Sequence, residues 1–175
     1  HGGTHIDAPR HFSIDGTPIN GYPLENCIVK GICIDLRHIE PKSEITSSDL
    51  EEAVKKTGQP IPENGTLLLC TGHHERTFPS AAYSTDNPGV NIEATKWIAE
   101  QGFVHFGIDS MRPGPIGDIN SLVHKICHEV NITHLESLCH LEKLIGRGEF
   151  TFICLPLPWR DGTGSPVRAV AVFDI

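Results

Sequence analysis

The sequence contains no apolar run approaching the ~18 residues that would carry a helix across a bilayer. Its mean hydropathy is −0.16, so we expect no membrane contact. Basic residues are scarce: 14 Lys and Arg stand against 22 Asp and Glu, for a net charge of −8 at pH 7. Neutralising phosphates requires a basic face, so nucleic acid is not expected as a partner. There is no CxxC pair, which argues against a structural zinc knuckle. Internal repeats, low-complexity tracts and linkers are also missing. What remains is 175 residues, 38% hydrophobic and 21% charged. That is too apolar for disorder and suits one domain with its own core, residues 1–175. The six cysteines fall mostly in apolar runs and are expected to be reduced core residues of a cytoplasmic protein. The chain opens directly on His1-Gly2-Gly3 without an initiator Met, and we expect an N-terminal segment to be missing from it.

What the chain has in abundance is histidine, 11 in all. His1, His5 and His11 lie in the first eleven residues; His124, His128, His134 and His140 lie within seventeen near the other end. Histidine is the commonest metal ligand and proton carrier near neutral pH. Between the clusters, residues 27–36, 66–71, 103–109, 151–158 and 167–173 read as short strands bounded by Gly, Pro or Asn. Residues 48–57 read as a helix with a capping box at Ser48 and Glu51; 92–101 as a second after Asn91; 119–129 as a third, capped by Asp118. Strands alternating with helices indicate an α/β or α+β fold.

The opening HGGTHIDAPRHF is the most informative stretch. Pro9 holds Ala8 extended, and in an extended segment alternate residues share a face. This would put His5, Asp7, Pro9 and His11 on one side, with Gly2 and Gly3 allowing His1 to bend back. A carboxylate between imidazoles suits a divalent metal and could bridge two. In the later cluster, His124 and His128 are spaced four apart, as on one helix face, but no Glu lies between them as in HExxH. Glu136 follows Val130-Asn-Ile-Thr, where a short strand would face it back toward that helix. Read alone, this cluster is equally compatible with a solvated helix face and an ordinary surface Glu.

His1-Gly-Gly-Thr-His-Ile-Asp-Ala-Pro-Arg-His-Phe resembles the HxGTHxDxPxHF signature of the metal-dependent cyclase/hydrolase family, which includes bacterial kynurenine formamidases and isatin hydrolases. The likeness continues through Pro88-Gly89, Glu93-Ala94 and Trp97, Gly107-Ile108-Asp109, His124 with Glu136, and Gly164-Ser-Pro-Val-Arg-Ala169. The resemblance implies an α/β fold of the swivelling β/β/α type, with a central, partly barrel-like sheet, flanking helices and a homo-oligomeric state, dimer or larger. It also implies His1, His5, Asp7, His124 and Glu136 as ligands of one or two zinc ions, with manganese as the alternative. Asp7 would bridge, and His11 would be the catalytic histidine. It gives no role to His128 or His140. Residues 71–74 and 110–115 depart from the formamidase pattern and are expected to line the pocket of a small-molecule substrate.

Such a site would hydrolyse an amide, formamide or lactam with an activated water, His11 carrying the proton. None of the six cysteines has an evident His/Asp partner for nucleophilic catalysis. Two other readings use the same residues. One is a metal- or ligand-binding module without turnover, against which His11 argues, since a binder needs no proton carrier. The other is a copper site built on a free N-terminal His1, which fits poorly with 6% aromatic content.

Overall fold

The computed structural model describes residues 2–173. Its frame is an eight-stranded mixed sheet curled into a half-barrel, with helices against it. The strands are β1 (His5–Asp7), β2 (Ile28–Asp35), β4 (Thr66–Cys70), β6 (His105–Ile108), β7 (Thr133–Glu136), β8 (Phe150–Ile153), β9 (Gly164–Pro166) and β10 (Val170–Val172). Their order across the sheet is β10-β8-β2-β4-β6-β7-β1-β9. The central run β2-β4-β6-β7 is parallel, and both flanks are antiparallel. A small parallel pair, β3 (Glu44–Ile45) with β5 (Gly89–Val90), lies apart. The α/β fold with a partly barrel-like central sheet and flanking helices, implied by the family resemblance, is the fold found.

Alternation along the central strands builds two cores, because successive strand residues point to opposite faces. Ile32, Ile34, Leu67, Leu69, Phe106 and Ile108 face the helices. Cys33, Leu68 and Cys70 face a second core containing Phe150, Phe152 and Cys154. The helical side is covered by α2 (Ser47–Thr57), α5 (Ile92–Glu100) and α6 (Asp118–Glu129). Helix α2 buries Leu50, Ala53 and Val54. Its capping box uses Thr46 and Asp49, two residues before the pair read from the sequence. Gly58, at φ 65°, closes it in the left-handed conformation that glycine adopts without cost. Asn91 caps α5 as read. Asp118 is the first residue of α6 rather than its cap; Gly117 takes the cap position without a side-chain bond.

Three short helices complete the path: α1 (Pro9–Phe12), α3 (His73–Thr77) and α4 (Ala82–Thr85). Residues 155–158, read as strand, leave the sheet after Ile153, because Pro156 and Pro158 cannot donate to a ladder. The segment 167–173 is strand only over Val170–Val172. The cysteines are free thiols; all but the exposed Cys139 are buried. No described helix is long and apolar enough to cross a membrane.

Candidate metal centre

The centre is built on the ladder between β1 and β7. Register pairs His5 with Glu136 and Ile6 with Leu135. Ile6 and Leu135 turn into the second core. His5 and Asp7 on one strand, and His134 and Glu136 on the other, share the opposite face. The Thr133 hydroxyl donates to the Asp7 carbonyl and closes the ladder beyond the His5–Glu136 and Ile6–Leu135 pairs. On its other side β1 pairs with β9, Asp7 opposite Gly164. A Cβ at Gly164 would lie 2.7 Å from the Ile6 carbonyl oxygen and 3.1 Å from Asp7 Oδ1, so the backbone can approach the carboxylate only as glycine.

His11 arrives by a different route from the alternation expected. Ala8 is extended (φ −84°, ψ 157°), but Pro9 then starts α1, at the first helical position where its ring is preorganised and its missing N–H costs nothing. His11 is therefore four residues past Asp7 on a turn of helix, with Nε2 3.6 Å from Asp7 Oδ2. Phe12, next on the same turn, stacks on the His134 ring at 5.3 Å and meets His124 edge-on at 5.6 Å. Helix α6 supplies His124, whose Nε2 is 4.0 Å from Glu136 Oε1.

The two carboxylates divide their oxygens between two sides. Asp7 Oδ1 and Glu136 Oε2 each lie 3.4 Å from His5 Nε2. Asp7 Oδ2 and Glu136 Oε1 lie 3.4 and 3.2 Å from His134 Nε2. Two rings are oriented from behind: His5 Nδ1 donates to the Gly3 carbonyl at 2.9 Å and His124 Nδ1 to the Asn120 carbonyl at 2.7 Å. A carbonyl can only accept, so in the neutral rings Nε2 presents its lone pair to the carboxylates. Such backbone anchoring is how metal-ligating histidines are usually held. Burial by itself raises the Glu136 carboxyl, but the His134 and His5 rings outweigh it and draw it down to about 2. Burial disfavours the His5 and His134 cations; the carboxylates beside them outweigh it and raise both rings. His124 moves the other way, lowered by burial and by the charge of His134.

Asp7 and Glu136 are each only 2% exposed, and Asp7 Oδ2 has no hydrogen-bond partner among the described residues. An orphaned carboxylate oxygen amid imidazole nitrogens is what a divalent cation would satisfy. The ligand atoms of Asp7, His124, His134 and Glu136 all lie within 4.8 Å of one another. Mixed nitrogen and oxygen donors suit zinc or manganese.

Of the residues singled out in the sequence, His5, Asp7, His11, His124 and Glu136 are brought together. His1 lies outside the described residues. His128 is exposed on α6 and His140 is exposed beyond β7. His134 was not singled out, although it is fully buried at the centre of the cluster. The signal was available: it precedes Glu136 by two, the spacing that shares a strand face. A cavity of about 200 Å³ opens beside His5, Asp7 and His11 and is bounded by residues 163–166. Another, about 190 Å³, is lined by His11, Met111, Arg112, Asn120, His124 and Glu136. Residues 71–74 line neither. His73 is buried instead against Tyr83, with Nε2 3.0 Å from its carbonyl oxygen. A roomier cavity of about 300 Å³, beside Ile32, Ala53 and Leu144, contains none of the centre's residues.

A family model described as "Putative cyclase" matches residues 1–115. The chain is 30% identical over 176 residues to kynurenine formamidase of Bacillus cereus (strain ATCC 14579), covering 97% of this chain and 75% of that protein. It is 29% identical over 174 residues to the kynurenine formamidase of Bacillus mycoides (strain KBAB4), with the same coverage. Among solved structures, isatin hydrolase A from Ralstonia solanacearum superposes with a TM-score of 0.82 at 27% identity, over 97% of this chain and 70% of that one. An isatin hydrolase bound to the product analogue thioisatinate does so with 0.84 at 24%, over the same shares. With the opening motif folded onto a carboxylate-bridged histidine cluster, and these matches spanning most of its length, the chain belongs to the cyclase family.

Proposed function

We propose that the protein is a metal-dependent hydrolase that cleaves the C–N bond of an aryl formamide or a related amide or lactam. The observation that carries the reading is the buried pair Asp7 and Glu136, each offering one oxygen to a histidine on either side. His1, His5, Asp7, His124 and Glu136 would hold the metal, zinc or alternatively manganese, as one or two ions. Where two bind, Asp7 would be the carboxylate shared between them. Bound there, the metal would activate a water near neutral pH and polarise the substrate carbonyl.

The chain's own residues do the rest. His11 is at the mouth, its side chain 27% exposed, and borders both cavities. Asp7 Oδ2 lies 3.6 Å from its Nε2 and steadies the imidazolium that forms when His11 takes a proton from the attacking water. His11 then delivers that proton to the departing nitrogen. Phe12 covers His124 and His134 and keeps bulk water from their inner sides. Arg112 and Met111 bound the space for the substrate. Arg112 is anchored by donating from Nη1 to the Ser84 carbonyl at 2.7 Å. Residues 1–175 act as one domain, in a cytoplasmic homo-oligomer.

Protein purified without chelator is expected to contain zinc or manganese at one to two equivalents. It should hydrolyse an aryl formamide or lactam from an amide and lactone panel, and a chelator should abolish that activity. Less than a tenth of an equivalent, with no binding or thermal stabilisation on adding Zn²⁺ or Mn²⁺, would overturn the reading. Stoichiometric metal without turnover across the panel would favour the binding-module alternative.

A further inference from the structure

Four histidines, His5, His11, His124 and His134, turn Nε2 toward the carboxylate pair. In His5 and His124, Nδ1 is held by a backbone carbonyl. In His134, Nδ1 faces a thiol instead, lying 3.8 Å from Cys127 Sγ on α6. With the thiol accepting from Nδ1–H, the neutral His134 ring also presents a lone pair at Nε2. That nitrogen is 3.4 Å from Asp7 Oδ2, longer than an ordinary N–H···O bond. Two donors of one tetrahedral ion with bonds of about 2.1 Å stand about 3.4 Å apart. The Asp7 separation therefore fits two ligands of one ion, while Nε2 also lies 3.2 Å from Glu136 Oε1, within hydrogen-bond reach when the ring carries its proton there. The buried Asp7 Oδ2 has no hydrogen-bond partner among the described residues, and His134 is entirely buried against it.

The competing explanation is a histidine that only fills the core. His105 shows what that looks like: fully buried, with Nδ1 2.8 Å from Thr66 Oγ1 and Nε2 2.8 Å from the Asn26 carbonyl oxygen. Both its nitrogens face neutral groups. His134 has carboxylates on one side and a ring clamp of Phe12, Phe106 and His124 around it.

We propose that His134 is itself a metal ligand, its Nε2 sharing an ion with Asp7, His124 and Glu136, and that Cys127 orients it by accepting from Nδ1. The proposal rests on the metal-hydrolase reading above. It leaves His5, together with Asp7 Oδ1 and Glu136 Oε2, to a second ion. With His134 supplying that ring, His11 is left to proton transfer rather than ligation.

The test uses the full chain, stripped of metal and titrated with Co²⁺, followed by visible absorption and by equilibrium dialysis with elemental analysis. The parent is expected to bind two equivalents. In His134→Leu, one equivalent should weaken by at least ~100-fold, beyond the 10–100-fold typical of losing an outer-shell partner, and its ligand-field band should change. Cys127→Ala should weaken the same equivalent by ~10-fold, with Cys127→Ser restoring most of it. Two tight equivalents with an unchanged spectrum in His134→Leu would overturn the proposal while leaving the metal-hydrolase reading intact. A parent that binds no Co²⁺ would overturn both. Should His134→Leu not fold, histidine ¹⁵N shifts of the zinc-loaded parent decide: a metal-shifted Nε2 with a proton on Nδ1 supports the proposal, and a protonated Nε2 overturns it.

Discussion

His105 and His134 occupy neighbouring strands one register step apart, His105 opposite Thr133 and Phe106 opposite His134. Both are fully buried. They face opposite sides of the sheet, and that difference decides what each can do. On the His105 side, the Asn26 carbonyl accepts from Nε2–H and the Thr66 hydroxyl donates to Nδ1, which together stabilise a neutral ring, and burial lowers its pKa to about 4. On the His134 side, two carboxylates meet at the β1–β7 ladder and require positive charge from protons or from a metal. Burial alone therefore says little about a histidine's role; the charge of what it faces says most.

The largest effect expected on this comparison is at Asp7, which touches both sides of the carboxylate pair. Asp7→Ala should lose metal from both positions and reduce turnover to background, measured by elemental analysis and by initial rates. Retention of both metal and rate would show that the pair does not organise the centre. Next is His11, which borders the cavities. A positioned proton carrier is worth ~10²–10⁴ in rate, so His11→Ala should lower kcat by about that factor while metal content stays near that of the parent. Loss of metal would make His11 a ligand instead.

His105 gives the contrasting prediction, on stability. Unfolded histidine titrates near 6.5 and folded His105 at about 4, so the unfolded state binds more protons between those values. The contribution of His105 is complete above pH 6.5, falls as pH falls, and is gone by about pH 4. The span corresponds to roughly 3 kcal/mol. Denaturant melts of the metal-free protein should show this slope, and His105→Gln should flatten it in that window. An unchanged slope would mean that other groups carry the acid sensitivity. The smallest effect is expected at His128, exposed on the outer face of α6. His128→Gln should change stability by no more than ~0.5 kcal/mol and leave metal content unaltered. His124→Gln should lose both metal and activity.

The opening motif was legible because its chemistry is dense: three imidazoles and a carboxylate in eleven residues, punctuated by a proline. Alternation alone put His11 beside Asp7, and it is beside Asp7, but through a helical turn begun by Pro9 that a strand pattern cannot anticipate. The later cluster was less legible, because its order in sequence mixes two periods. His124 and His128 suggest a helix face, whereas His134 and Glu136 share a strand face. Only the pairing of β7 with β1 reveals which spacing builds the centre. Strands 27–36 and 66–71 were readable to within two residues because β-branched and leucine-rich runs between turn residues leave little choice. The stretch after Ile153 was not, because its apolar residues surround prolines that remove ladder donors.

The central claim is that Asp7 and Glu136 are shared between cations flanked by histidines. Anomalous diffraction at the zinc edge, from crystals of zinc-loaded protein, tests it most directly. The account predicts a peak within bonding distance of Asp7 Oδ2 and Glu136 Oε1, and, where two ions bind, a second beside His5 Nε2. Fully loaded crystals with no anomalous peak within ~3 Å of either carboxylate would contradict it.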